Sequence, residues 1–221
     1  MGRPSHPAVA DDPILAHLFT ELTGRQGCHT VILYGSRARG DFTAESDYDV
    51  VGIRGSGEEY RIGETFAGKY LDGFVYPEAR ITEKEEDFLR LHGGVVLVEQ
   101  GNYGTRLLER IATRVAAGPT KMSPRERAAQ ITWVRKTVDR TRRGDIEGDF
   151  RRVWLLHELL AFHFEVRDRW YRGPKEAFRE LEKTDPETFR LYREALRPGA
   201  DDSSLEALVG RVLTRVTELS P

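Results

Sequence analysis

Two aspartates at alternate positions, Asp47 and Asp49, stand beside Val50 and Val51 in the stretch LYGSRARGDFTAESDYDVVGI, residues 33–53. Aspartate is a poor strand former, so its place in such a run calls for a chemical reason. In a strand, residues two apart face the same way, so both carboxylates present together while Tyr48 and Val50 face oppositely. Like charges this close repel unless a cation compensates them. Mg²⁺, a hard cation, takes oxygen ligands and typically sits on one or two carboxylates plus substrate phosphates. Upstream, the apolar run Val31-Ile32-Leu33 breaks at Gly35-Ser36. A strand that ends in Gly-Ser and turns into helix offers backbone N–H groups and a hydroxyl to an anion, with the helix dipole behind them. Gly35 permits close approach of a phosphate, and Gly40 lets the chain turn back toward the aspartates. Arg37 and Arg39 add positive charge nearby. A phosphate cradle followed closely by a carboxylate pair is equipment for moving a nucleotidyl or phosphoryl group. Asp72, in KYLDGFVYP, interrupts an apolar strand as Asp49 does and is the candidate third carboxylate. With its strand beside that of Asp47 and Asp49, three carboxylates would hold two metal ions and stabilise an in-line displacement.

These side chains need a sheet to carry them. HTVILY reads as a buried strand, SRARG as one helical turn, and DYDVVGI as a second strand. EYRIGETFAGKYLDGFVYP reads as two more strands joined near Ala67-Gly68. Ahead of them, DDPILAHLFTELTG predicts a helix capped by Asp11 or Asp12, with Ile14, Leu15, Leu18, Phe19 and Leu22 on one face and Gly24 ending it. Thr82 with Glu85 predicts a capping box before a short helix, and VVLVE a strand or buried helical segment. Beyond Tyr103 only helices are expected: Gly118-Pro119 closes one, and Ser123-Pro124-Arg125-Glu126, Gly173-Pro174 and Asp185-Pro186 open others. Strands alternating with helices, then helices alone, imply an α/β (α+β) chain. Its expected parts are a disordered leader over 1–10, a mixed-sheet catalytic domain over 11–102, and a helical bundle over 103–221.

Gly35-Ser36, ten intervening residues, Asp47-Tyr48-Asp49, and then Asp72 in a strand together resemble the DNA polymerase β-like nucleotidyltransferase superfamily. The resemblance covers about residues 29–76. The helical half resembles, more loosely, the C-terminal bundle of kanamycin-type aminoglycoside nucleotidyltransferases. What this implies is Mg²⁺-dependent transfer of a nucleoside monophosphate, usually AMP, from a nucleoside triphosphate such as ATP to an acceptor hydroxyl. An aminoglycoside-like small molecule is one such acceptor. In that family Ser36 would bind the terminal phosphates, Asp47 and Asp49 both metals, and Asp72 the catalytic metal or the attacking hydroxyl. Antibiotic nucleotidyltransferases often take a general base from the helical half, where Glu158 and Glu165 lie one heptad apart. Some relatives build each site from two subunits, so a homodimer is one expected arrangement.

Several residues of the helical half have a plain alternative. Trp154, Leu155, Leu159, Phe162 and Val166 form a face that reads as core, and surface glutamate is the ordinary role for Glu158. Lys175 at a new helix N-terminus opposes the dipole, which a nearby triphosphate would explain. Arg152 with His157 matches the spacing of a helical RNase family, as a helix crowded with Arg and His does by chance. The net charge of −2 gives little support for a nucleic-acid partner. One cysteine excludes an internal disulfide, and no stretch reaches membrane-spanning length, so a cytoplasmic location is expected. The competing reading is an antitoxin-type nucleotidyltransferase that binds or adenylylates a protein partner. Such chains are typically short and single-domain. A catalytically silent nucleotide sensor is disfavoured by the presence of all three carboxylates.

Overall fold

The structure, a computed structural model, describes residues 11–218, so the expected leader at 1–10 lies outside the described residues. Helix α1 (Pro13–Thr20) is capped by Asp12, whose Oδ1 accepts from the Ile14 N–H at 2.8 Å and the Leu15 N–H at 3.3 Å. It does not stop at Gly24. A wider turn continues over Glu21–Arg25 and keeps the fully buried Leu22 in line with Ile14, Leu15 and Leu18. The chain breaks only at Gly27, where φ is 66°.

Five strands follow: β1 (Thr30–Tyr34), β2 (Tyr48–Arg54), β3 (Tyr60–Phe66), β4 (Lys69–Pro77) and β5 (Val95–Val98). Their order is β3-β4-β2-β1-β5, antiparallel throughout except for the parallel pair β2–β4. One helical turn, α2 (Gly35–Arg39), follows β1. The β3–β4 hairpin turns at Ala67 and Gly68, with φ of 49° and 76°, the positive values a two-residue hairpin loop demands. Phe66 therefore pairs with Lys69, and Asp72-Gly73 is mid-strand.

Period-two alternation sorts the sheet into two faces. Val31, Leu33, Tyr48, Val50, Leu71 and Val75 lie in one core cluster with Ile14, Leu15, Leu18 and Leu22 of the first helical segment. Ile32, Tyr34, Val51, Ile53 and Tyr76 lie in the other. Ile81 of α3 (Glu78–Glu83), Phe88 and Leu91 of the 3-10 stretch Glu85–Leu91, and Leu107 and Ile111 of α4 (Tyr103–Ala117) join that second cluster. By the same alternation Asp49 and Asp72 open onto the second face. The capping box expected at Thr82 is absent: its hydroxyl donates to Glu78 O at 3.1 Å inside α3, and Glu85 accepts from Arg110 Nε at 2.7 Å. Cys28 is buried against the sheet, where a Cβ added at Gly52 would stand 2.6 Å from its Sγ. Burial pushes its thiol up to about 12, against the opposing pull of Arg54.

The chain divides into two compact units after Ala117 rather than near residue 102. The reason is α4, which buries Gly104, Leu107 and Ile111 in the first unit. A Cβ at Gly104 would stand 2.9 Å from Thr30 Cγ2 and 3.1 Å from Val96 Cγ2. The second unit comprises α5 (Pro124–Thr141), α6 (Ile146–Glu165), α7 (Pro174–Thr184), α8 (Pro186–Ala195) and α9 (Asp202–Glu218). Ser123 and Glu126 form a complete capping box before α5. Leu155, Leu159, Phe162 and Val166 enter the core, but Trp154 remains 37% exposed, edge-on to Trp133 at 5.5 Å. The mixed sheet followed by helices is the fold class the sequence implies.

Candidate active site

Gly35 ends β1 with φ of 72°, and a Cβ there would lie 2.2 Å from Asp49 Oδ2. Only glycine lets the backbone come this close to the carboxylate without a shift. Ser36, the next residue, is buried. Gly40, at φ of 80°, closes α2, and the Asp41 N–H reaches Ser36 O at 3.1 Å, turning the chain back toward β2. Arg39 ion-pairs with Asp41 at 3.5 Å.

Asp47 precedes β2 and is exposed. Its loop is held from behind. Arg37 Nε donates to Asp47 O at 3.1 Å and Nη2 to Ser46 O at 2.8 Å, and the guanidinium lies 3.7 Å from the Tyr48 ring centroid. The Tyr48 hydroxyl in turn donates to Asp12 Oδ2 at 2.8 Å. Arg37 thus gives two of its donors to the backbone that carries the aspartate, a positioning contact that its expected phosphate role did not include.

Asp49 is paired in register with Tyr34 on one side and Asp72 on the other. Asp72 Oδ1 accepts from Arg61 Nε at 3.1 Å and from Nη2 at 3.0 Å. Burial pushes the Tyr34 hydroxyl up to about 12; the Arg90 cation lowers it and the Asp49 and Asp72 carboxylates raise it. One phenol therefore feels all three charges. Arg90 Nη2 donates to the Tyr76 hydroxyl at 2.9 Å. Its guanidinium lies 5.2 Å from the Phe74 centroid, 5.7 Å from Phe88, 5.8 Å from Tyr76 and 5.9 Å from Tyr34.

Residues 20–97 match the family profile of the nucleotidyltransferase domain. This segment is a nucleotidyltransferase domain. The match encloses Gly35, Ser36, Asp47, Asp49 and Asp72, and it fits the superfamily the motif resembles. Among solved structures, a nucleotidyltransferase-like protein from Exiguobacterium sibiricum 255-15 is similar at 14% identity with a TM-score of 0.44, covering 92% of this chain and 73% of that one. A search of curated proteins gives no match.

The nucleotidyltransferase domain gathers Asp49 and Asp72 at adjoining strand positions, with Gly35, the first residue of α2, close against Asp49. Glu158 and Lys175 belong to the second unit. Glu158 Oε1 accepts from Trp154 Nε1 at 3.3 Å and lies 3.2 Å from His157 Nδ1, while Lys175 is exposed in the first turn of α7. Among the described residues no group of three His, Cys, Asp or Glu side chains is placed to hold a metal ion. Arg61 already occupies Asp72, and Asp47 stands out in solvent. The chemistry of Asp49 and Asp72 suits Mg²⁺: carboxylate oxygens on one face of β2 and β4, with a backbone that approaches Asp49 closely at Gly35.

Tyr34, Arg61 and Arg90 escape motif reasoning. For Arg61 a signal existed. A two-residue turn at Ala67-Gly68 fixes Gly63 opposite Asp72 and Arg61 opposite Phe74, so Arg61 lies diagonal to Asp72 on the same face. Arg90 comes from the irregular 3-10 stretch, where no period points to it.

Proposed function

We propose that the protein transfers a nucleoside monophosphate from a nucleoside triphosphate, ATP first among them, to a hydroxyl of a small-molecule acceptor. The contact between Gly35 and Asp49, with Asp72 next in register, carries this reading. It sets the strand end that can admit a phosphate directly against the acidic pair. The acceptor oxygen forms a bond to the α-phosphorus, the bond to the α–β bridging oxygen breaks, and pyrophosphate leaves. Ser36 and the backbone of α2 hold the terminal phosphates. Asp47 and Asp49 would hold Mg²⁺, as two ions with Asp72 recruited; the metal supplies charge neutralisation of the phosphates when bound. Asp72 orients the acceptor hydroxyl and takes its proton. Arg37 keeps Asp47 in place through the backbone.

The test is to incubate the protein with labelled ATP, GTP, CTP or UTP, Mg²⁺ and a panel of hydroxylated acceptors, aminoglycosides included, and to follow pyrophosphate release. Asp47→Asn and Asp49→Asn are expected to be inactive while folded. Full activity in both variants would overturn the assignment.

A further inference from the structure

The surroundings of Asp72 carry a charge that nucleotidyl transfer alone does not use. Arg80, Arg110 and Arg114 on the neighbouring elements each pair with a carboxylate, respectively Glu59 and Asp87, Glu85, and Glu86. Arg90 differs. Its hydrogen bonds go to neutral oxygens, the Tyr76 hydroxyl at 2.9 Å, the Asp87 backbone carbonyl at 3.4 Å and the Tyr34 hydroxyl. Among the described residues it makes no ion pair within 4 Å, the Asp87 carboxylate that feels its charge being held by Arg80, and its side chain is exposed. Aromatic rings steady a guanidinium without cancelling its charge, and further N–H groups of its five remain to donate.

Arg61 completes the arrangement. Its side chain is 59% exposed, and its guanidinium lies 5.2 Å from the Phe74 centroid, the same distance as that of Arg90. Both of its bonds to Asp72 fall on one oxygen, Oδ1, so Nη1 stays open. Two cations thus share Phe74, two residues along β4 from Asp72. Building on the nucleotidyl-transfer reading, we infer that the acceptor carries an anionic group of its own, a phosphate or carboxylate, which Arg90 and Arg61 receive beside Phe74. Paired guanidinium forks match the geometry of such oxyanions. A polycationic aminoglycoside would bring like charge against both arginines, so this acceptor class is disfavoured at the site.

Inorganic phosphate is the probe, read on the Nε resonances of ¹⁵N-labelled arginine. With α,β-methylene ATP and Mg²⁺ already saturating, phosphate is expected to shift the Arg61 and Arg90 signals. Arg90→Gln should weaken phosphate binding about tenfold, the scale of one charged hydrogen bond, while nucleotide affinity stays within about twofold. Arg90→Lys, which keeps a cation over the rings, should retain part of the affinity and controls for folding. Signals that move with the nucleotide analogue and then ignore phosphate would assign the arginines to the triphosphate and overturn the inference. Unchanged phosphate affinity in Arg90→Gln would overturn it as an adventitious ion only. If the analogue fails to bind at all, the nucleotidyl-transfer reading falls separately, and the phosphate titration of the bare protein still decides Arg90.

Discussion

Asp49 and Asp72 are register partners across the parallel β2–β4 pair, so their carboxylates leave the sheet side by side. Residues far apart in sequence meet because β3 carries the chain out to the sheet edge and the Ala67-Gly68 turn returns it as β4 next to β2. Two neighbouring carboxylates are costly unless something cationic stands among them. Arg61 fills that role on Asp72.

Replacing Asp47 or Asp49 by its amide should separate chemistry from folding. Asp49→Asn keeps shape and removes charge, so turnover is expected to fall by about two orders of magnitude or more. Asp47→Asn, at an exposed position, should change stability by no more than about 0.5 kcal/mol. Pyrophosphate release and thermal melting of the same samples check both.

Gly35→Ala should damage the site through the backbone. The added Cβ would fall 2.2 Å from Asp49 Oδ2, and φ of 72° is unfavourable for any residue with a side chain. The backbone conformation alone costs about 1–2 kcal/mol, and displacement of Asp49 adds to it. A lowered Tm together with lost activity is expected. An active, equally stable Gly35→Ala protein would contradict the close approach.

Arg37→Ala should loosen the loop before β2. Two hydrogen bonds to carbonyls and the contact over Tyr48 disappear, a loss of about 1–3 kcal/mol. Because Arg37 acts on Asp47 through the backbone, KM for the metal–nucleotide pair should rise. Arg37→Lys should not restore it, since a single ammonium lacks the fork that reaches Ser46 O and Asp47 O together.

The second unit should have its own acid sensitivity. Burial would raise the Asp185 carboxyl, but hydrogen bonds from Arg211 and Thr188 outweigh it and hold it at about 2, below its ordinary 3.8. A depressed folded value means that the stabilisation is fully present above pH 4. It is lost as pH falls from about 4 to 2, and amounts to on the order of 2 kcal/mol. All three tryptophans, Trp133, Trp154 and Trp170, lie in this unit, so urea unfolding followed by their fluorescence isolates it. Asp185→Asn should flatten that pH dependence.

Much of the site was legible because its signals are local. Gly35, Ser36 and Asp49 sit where strand, turn and strand follow one another, and the period-two pattern turns Asp49 onto the second face; Asp47, expected to share that strand, instead precedes β2 and is exposed, so the alternation does not govern it. Caps formed by Asp12 and Ser123 were readable for the same reason. What stayed hidden was set by pairing across the sheet. The meeting of Asp49 with Asp72, which the sequence makes conditional on their strands lying side by side, needs the strand order β4-β2, and Arg90 reaches the site only because the 3-10 stretch lies over the aromatic face. The domain division moved for a similar reason: α4 reads as an ordinary amphipathic helix, and nothing local says that its buried face belongs to the sheet.

Cys28 has a practical use. As the chain's one sulfhydryl, enclosed and held protonated at neutral pH, it should stay inert toward maleimides. New cysteines introduced on exposed helices, one in each unit, would then take dyes without background. A fluorescence ruler between the nucleotidyltransferase half and its helical companion is available without first deleting a native residue.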